Sequence, residues 1–244
     1  MRGDLGVLLR EVLTEDACPA CLAATNGLDR FFRWFFIETY GSLPTVERLA
    51  RGGFCREHSG RILSHPSGYL VSSTYDVALR DYRQRLERSL SSLDATPTSR
   101  SRKRVGQVLQ RLGRFLGVLP RDSSVASPLH EAVDCPACEI QQFYELHVIH
   151  QLVWNLHDEE LRSRYRASHG LCRHHLAQAL EISDKETKVF LMEHHLGKVE
   201  QVLAELTEYF RKLDYRNAHE SKGREQTAWC RAITLYDGHR YLRS

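Results

Sequence analysis

Apolar residues recur along this chain three and four positions apart, and the strict alternation of a half-buried strand is scarce. Val189, Met192, Leu196, Val199, Leu203, Leu206 and Phe210 follow one another without a break in that rhythm. They predict a long helix whose apolar seam packs on other helices. Ser183-Asp184-Lys185-Glu186 precedes it and reads as a capping box, with Ser183 and Glu186 satisfying first-turn backbone donors. Tyr75, Leu79, Tyr82, Leu86, Leu90 and Leu93 predict a second long helix of the same kind. Shorter helices are expected near residues 4–13, packed on the first half, and across Val105, Val108, Leu109, Leu112, Phe115 and Leu116. Pro120 and Asp122-Ser123-Ser124 end the latter, and Leu129–Val133 lead into the second half. The fold class is therefore all-α.

The pattern occurs twice. Cys18-Pro19-Ala20-Cys21 returns unchanged as Cys135-Pro136-Ala137-Cys138, an offset of 117 residues. The same offset carries Gly53-Phe54-Cys55-Arg56-Glu57-His58 onto Gly170-Leu171-Cys172-Arg173-His174-His175. From first to third cysteine the distance is 37 residues in both copies. Phe31, Phe32, Phe35 and Phe36 fall on Val148, Ile149, Leu152 and Val153, one face of a helix in each copy. An internal duplication accounts for all of this. The expected organisation is a first helical unit within 1–93, a linker over 94–134, a second unit over 135–210 and a tail over 211–244.

Each copy offers Cys-x2-Cys, a helical excursion and then Cys-x2-His. Two residues between ligands let one tight turn aim both side chains at a single ion, and three sulfurs with one imidazole suit tetrahedral zinc. The expected ligand sets are Cys18, Cys21, Cys55 and His58 in one unit, and Cys135, Cys138, Cys172 and His175 in the other. Whether each unit closes its own site or the two exchange ligands is open at this point. Proline at the second position and glycine two before the third cysteine fit turns that bend toward a metal. Four protein ligands fill the tetrahedron, so these are structural sites, two Zn2+ per chain. An iron–sulfur cluster is the alternative cofactor. Leu22 and Glu139 stand where covalent haem attachment would need histidine.

Composition narrows the picture modestly. With 42% apolar and 27% charged residues the chain is too apolar for disorder. No run reaches the roughly 18 apolar residues of a membrane span, and the start lacks a secretory signal. A cytoplasmic protein with reduced thiols is expected, and Cys230, outside the duplication, reads as a buried thiol.

Net charge is only +3, yet residues 94–121 hold seven Lys or Arg against one Asp, and 211–244 hold eight against four acids. Arg100, Arg102, Lys103, Arg104, Arg111 and Arg114 can meet phosphates, and the tail interleaves Tyr209, Tyr215, Trp229, Tyr236 and Tyr241 with arginines. The same tail residues also suit a segment folded back through aromatic packing and Arg–carboxylate pairs. Eleven of the thirteen histidines lie at or beyond residue 130. His147, His150 and His157 share a helical stripe, with His194 and His195 on the long helix, and together they are the candidates for an open metal or proton-transfer site. No HExxH, GxSxG, Walker loop or GxGxxG is present.

The whole pattern resembles an uncharacterised bacterial domain-of-unknown-function family with duplicated CPxC and GxCxxH motifs. The resemblance extends to Lys212-Leu213-Asp214-Tyr215-Arg216, Glu220, Glu225 and Trp229-Cys230-Arg231-Ala232, with Ala228 where the family pattern has serine. Membership implies metal binding in a bacterial cytoplasm and no agreed activity. The function expected is a binding or adaptor protein for a macromolecular partner, held in shape by zinc and without contact with membranes. A metalloenzyme using the histidines, or a nucleic-acid binder using linker and tail, are the other two readings.

Overall fold

The structure is a computed structural model, described here for residues 9–14, 17–38, 47–49, 52–63, 68–94, 135–217 and 219–238. The elements are α1 (Pro19–Glu38), α2 (Arg56–Leu63), α3 (Gly68–Asp94), α4 (Pro136–Asn155), α5 (Glu159–Ala167), α6 (Arg173–Ile182), α7 (Lys185–Leu213) and α8 (Ala228–Tyr236). Single 3₁₀ turns at Tyr215–Asn217 and Arg224–Thr227 connect the last two helices. No strand occurs among the described residues. The fold is all-α, as the periodicity predicts. Both Cys-Pro-Ala-Cys segments open a helix of 20 residues, with proline at the first helical position, where its missing N–H would be unpaired anyway.

The compact units do not follow the sequence copies. One comprises residues up to Arg33 together with Glu139 onward, and the other runs from Trp34 to Cys138. Helices α1 and α4 therefore each begin in one unit and end in the other, unlike the expected 1–93 and 135–210 division. The physical reason is packing. Ala20 and Ala23 of α1 join Val148, Ile149, Leu152 and Val153 of α4, Tyr165 of α5 and Leu191 of α7 in a single core. Leu9 and Val12, expected to pack on the first half, belong to that same core. Close approach of α1 to α4 needs Gly27, where an added Cβ would clash with the Tyr144 ring. The Arg30 guanidinium covers the same tyrosine ring at 5.5 Å. In the smaller unit Phe35 meets Phe54 edge to face at 5.3 Å, and Leu49 and Ile62 are also buried there.

Two local expectations change. Asp184, not Ser183, caps α7: its carboxylate accepts from Thr187 N at 2.8 Å, while Ser183 Oγ donates back to Ala179 O at the end of α6. The long apolar seams are exposed rather than packed. Val189, Met192, Leu196, Leu203 and Phe210 are 47–65% accessible, because α7 buries another stripe, Thr187, Leu191 and Val202, and packs on α8 and the Arg224–Thr227 turn. On α3, Leu79, Tyr82 and Leu90 are likewise exposed. The predicted helix over 105–116, Leu129–Val133 and the cations Arg100, Arg102, Lys103, Arg104, Arg111 and Arg114 lie outside the described residues.

The tail is folded back, and its charges are used internally. Arg231 meets Glu205 at 2.5 Å and donates to Thr227 Oγ1 and Arg224 O. Lys212 pairs with Glu225 at 3.0 Å, and Arg211 with Glu208 and Glu220. Glu225, which also accepts from Gly223 N, is held down at about 2 by these donors. Cys230 is buried on α8.

Candidate metal centres

Each centre is assembled from one CPxC turn and one GxCxxH turn. At the first, Cys18 and Cys21 open α1, Cys172 is the N-cap of α6 with extended backbone, and His175 lies in its first turn. The positive φ of Gly170, +80°, lets the chain turn sharply enough for Cys172 and His175 to face one point. Gly53, at +66°, does the same before Cys55 and His58 of α2. Cys135 and Cys138 open α4.

The eight side chains predicted as ligands all take part, but in exchanged sets. Cys18, Cys21, Cys172 and His175 form one group, and Cys55, His58, Cys135 and Cys138 the other. The expected sets of one copy each, Cys18 and Cys21 with Cys55 and His58, and Cys135 and Cys138 with Cys172 and His175, are thereby corrected. Each group lies within a single compact unit. Helix α1 carries the first CPxC turn into the core that also holds α6, and α4 starts beside the turn of Cys55.

The distances fit a tetrahedral ion. Within each group every donor atom lies within 4.8 Å of the others. His175 Nδ1 is 3.5, 3.4 and 3.2 Å from the sulfurs of Cys18, Cys21 and Cys172. His58 Nδ1 is 3.2, 3.6 and 3.4 Å from those of Cys55, Cys135 and Cys138. Sulfur pairs lie at 4.0 Å (Cys21 and Cys172) and 3.5 Å (Cys55 and Cys138). A zinc tetrahedron with bonds of about 2.3 Å to sulfur and 2.0–2.1 Å to nitrogen has edges of ~3.6 Å (S to N) and ~3.8 Å (S to S). The electrostatics agree. Hydrogen bonds from Cys18 and Cys21 hold the Cys172 thiol far below its ordinary range, while those same contacts and burial push Cys21 far above it. Burial opposes the imidazolium of His175, yet the Cys172 and Cys18 sulfurs and Glu145 outweigh it and carry the ring up to about 12. The centre favours positive charge, and three thiolates cannot coexist there without a cation.

The two surroundings differ. In the first group Cys18 and Cys172 are fully buried, whereas in the second Cys138 is exposed. Glu145 of α4 approaches Nε2 of His175 at 3.9 Å and accepts from Gln141 Nε2 at 3.0 Å. Despite burial, which works the other way, His175 and Gln141 hold its carboxyl below the ordinary range. A carboxylate behind a ligating histidine orients the ring and raises its basicity. Glu145→Gln is expected to weaken metal binding at this centre about 10- to 100-fold and leave the other unchanged, read by competition with a chromophoric chelator.

Sequence reasoning missed the tail's part. Gly238, just past α8 at φ +73°, places its carbonyl 3.0 Å from Cys21 Sγ, and an added Cβ would lie 2.8 Å from Cys172 Sγ. Arg173 beside the cysteine stacks on Tyr236 at 4.3 Å and donates to its carbonyl. A glycine following a helix end was the available signal.

The five candidate histidines are not brought together. His147 stacks on Phe143, His150 meets Trp154 edge-on, and His157 Nε2 lies 3.4 Å from Asp184. His195 Nδ1 donates to Leu171 O at 3.1 Å, and His194 Nε2 to Arg166 O at 3.3 Å. His169, not singled out by the sequence, donates from Nδ1 to Gly170 O at 3.0 Å. His169 and His195 thus bond carbonyls of the Gly170-Leu171-Cys172 turn, and His194, held by the end of α5, lies against Gly170. Burial lowers all three, His194 to about 4, which keeps them neutral. Tyr165 completes the brace, its buried hydroxyl accepting from Leu171 N at 3.2 Å. Among the described residues no group of metal-ligand type other than the two Cys3His sets is found.

Fold and site thus define an all-helical protein with two Cys3His groups, each able to hold a metal ion. The chain belongs to the family of unknown function DUF6062, which matches residues 8–241. It is 22% identical over 234 residues to an uncharacterized 23.9 kDa protein in the xynA 3' region of Caldicellulosiruptor sp. (strain Rt8B.4), covering 93% of this chain and 98% of that one. No solved structure matches. No described helix is long and apolar enough to cross a membrane.

Proposed function

We propose that this is a two-zinc scaffold protein of the bacterial cytoplasm, whose metal ions fix helices that present a surface to a macromolecular partner. One observation carries the reading: each group supplies four protein donors at tetrahedral spacing, which leaves no coordination position for water or substrate. A metal bound this way cross-links distant segments, 151 residues apart between Cys21 and Cys172 and 77 between His58 and Cys135. Its contribution is to folding rather than to a reaction. Three sulfurs and a nitrogen favour Zn2+ over hard cations. The exposed Leu79, Tyr82 and Leu90 of α3 offer the kind of apolar face that marks a docking surface.

Elemental analysis with visible absorption on anaerobically purified protein tests this reading. Two zinc ions per chain and a colourless solution are expected. A brown solution containing iron and sulfide overturns the zinc assignment. A third ion per chain, lost on His150→Ala, replaces the scaffold with an enzyme.

A further inference from the structure

Helix α7 repeats in heptads through its whole length. Val189, Leu196, Leu203 and Phe210 occupy one set of seam positions and Met192, Val199, Leu206 and Leu213 the other, four heptads without interruption. Five of these are 47–65% exposed and Leu213 is 63% exposed. A 3.5-residue apolar repeat kept over four heptads is the pattern of a helix paired with another helix. We propose that this seam pairs with the same seam of a second copy, parallel and in register, to form a two-stranded coiled coil.

Area and charge both select that occupant. The six exposed side chains present on the order of 600 Å2, at the upper end of what a monomer leaves uncovered. A symmetric pair removes on the order of 1,200 Å2, where specific interfaces begin. Lys188 and Glu193 flank the seam on opposite sides, and neither joins an ion pair among the described residues. In a parallel pair Lys188 of one copy faces Glu193 of the other, twice by symmetry. An antiparallel pair instead sets the flank carrying Glu193 and Glu200 against itself. The aliphatic and aromatic seam needs no metal, so the inference is independent of the zinc reading.

Sedimentation equilibrium across a micromolar concentration series tests it. The wild-type chain is expected at twice its 28.2 kDa mass. Leu203→Glu is expected at the single-chain mass, with far-UV circular dichroism and metal content unchanged. Lys188→Glu and Glu193→Lys are each expected to weaken the dimer, and an equimolar mixture of the two to restore it. Peroxide footprinting gives a readout that does not depend on a variant's folding. Met192 resists oxidation in the dimer while Met1, the only other methionine, does not. A monomeric wild type overturns the proposal, and if Met192 is then still protected, the seam is covered from within the chain. A dimer that Leu203→Glu leaves intact places the interface elsewhere. Failure of the mixed charge variants to recover overturns the parallel register.

Discussion

The double variant Cys18→Ser/Cys172→Ser is expected to keep one zinc ion per chain, and Cys18→Ser/Cys55→Ser to keep none. The first pair removes two ligands from a single centre, and the second removes one ligand from each. Had each sequence copy closed its own site, the outcomes would be reversed. Elemental analysis after gel filtration reads the result directly, and a Cys18→Ser/Cys55→Ser protein that retains one ion would refute the exchanged sets. The effect on folding is large. A structural zinc contributes about 10–16 kcal/mol in finger peptides at neutral pH, against a total stability of about 5–15 kcal/mol for a whole domain. Loss of the first centre also frees the start of α1 from α6, two elements that contribute Ala20, Ala23 and Ala179 to the same core. Near-UV circular dichroism of Cys18→Ser/Cys172→Ser is therefore expected to lose the tertiary signal of the larger unit.

Alanine at the two turn glycines is expected to have unequal effects. Both glycines hold positive φ, a conformation that costs a Cβ-bearing residue about 1–2 kcal/mol. At Gly53 an added Cβ meets nothing within 4 Å, so Gly53→Ala is expected to cost about that much and no more. At Gly170 it would stand 2.6 Å from His194 Cε1 and 2.9 Å from Nδ1. The imidazole must then leave its place over Tyr165, 4.6 Å between ring centroids, and its contact with Arg166 O. Overpacking adds about 1–3 kcal/mol, which brings Gly170→Ala to about 2–5 kcal/mol and loosens Cys172 and His175 as ligands. Urea denaturation of the two variants, with chelator competition for metal, separates these outcomes. Equal destabilisation would mean that the histidine brace has no role.

Much of the fold was legible because its signals are local. A 3.6-residue rhythm reports a helix whatever it packs against, so α1, α3, α4 and α7 appear near their predicted positions. The side that each helix buries is a different matter. The seam from Val189 to Phe210 has the stronger repeat, yet α7 buries Thr187, Leu191 and Val202: Leu191 joins the core of α1, α4 and α5, and further along Arg231 and Lys212 pair with Glu205 and Glu225. Polar pairs between distant segments leave little trace in hydrophobic periodicity. The histidine candidates show the same limit. Their shared stripe on one helix was readable, whereas the carbonyls of Arg166 and Leu171 that hold His194 and His195 lie 24 or more residues away along the chain, and only folding brings them near.

Within eight side chains the division is sharp. The amino-acid sequence alone singled out the eight Cys and His side chains that fold into two groups able to hold a metal, and the shape of each half-centre, since Cys-x2-Cys and Gly-x-Cys-x2-His are turns whose geometry is set by neighbours three residues apart. It could not determine which half-centre meets which. The two copies offer chemically equivalent halves, so either pairing satisfies the ligand count. A separation of 37 residues along a chain does not fix a distance in space. Only the packing of α1 against α4 in one core, through Gly27 and the small alanines beside it, chose the exchanged arrangement.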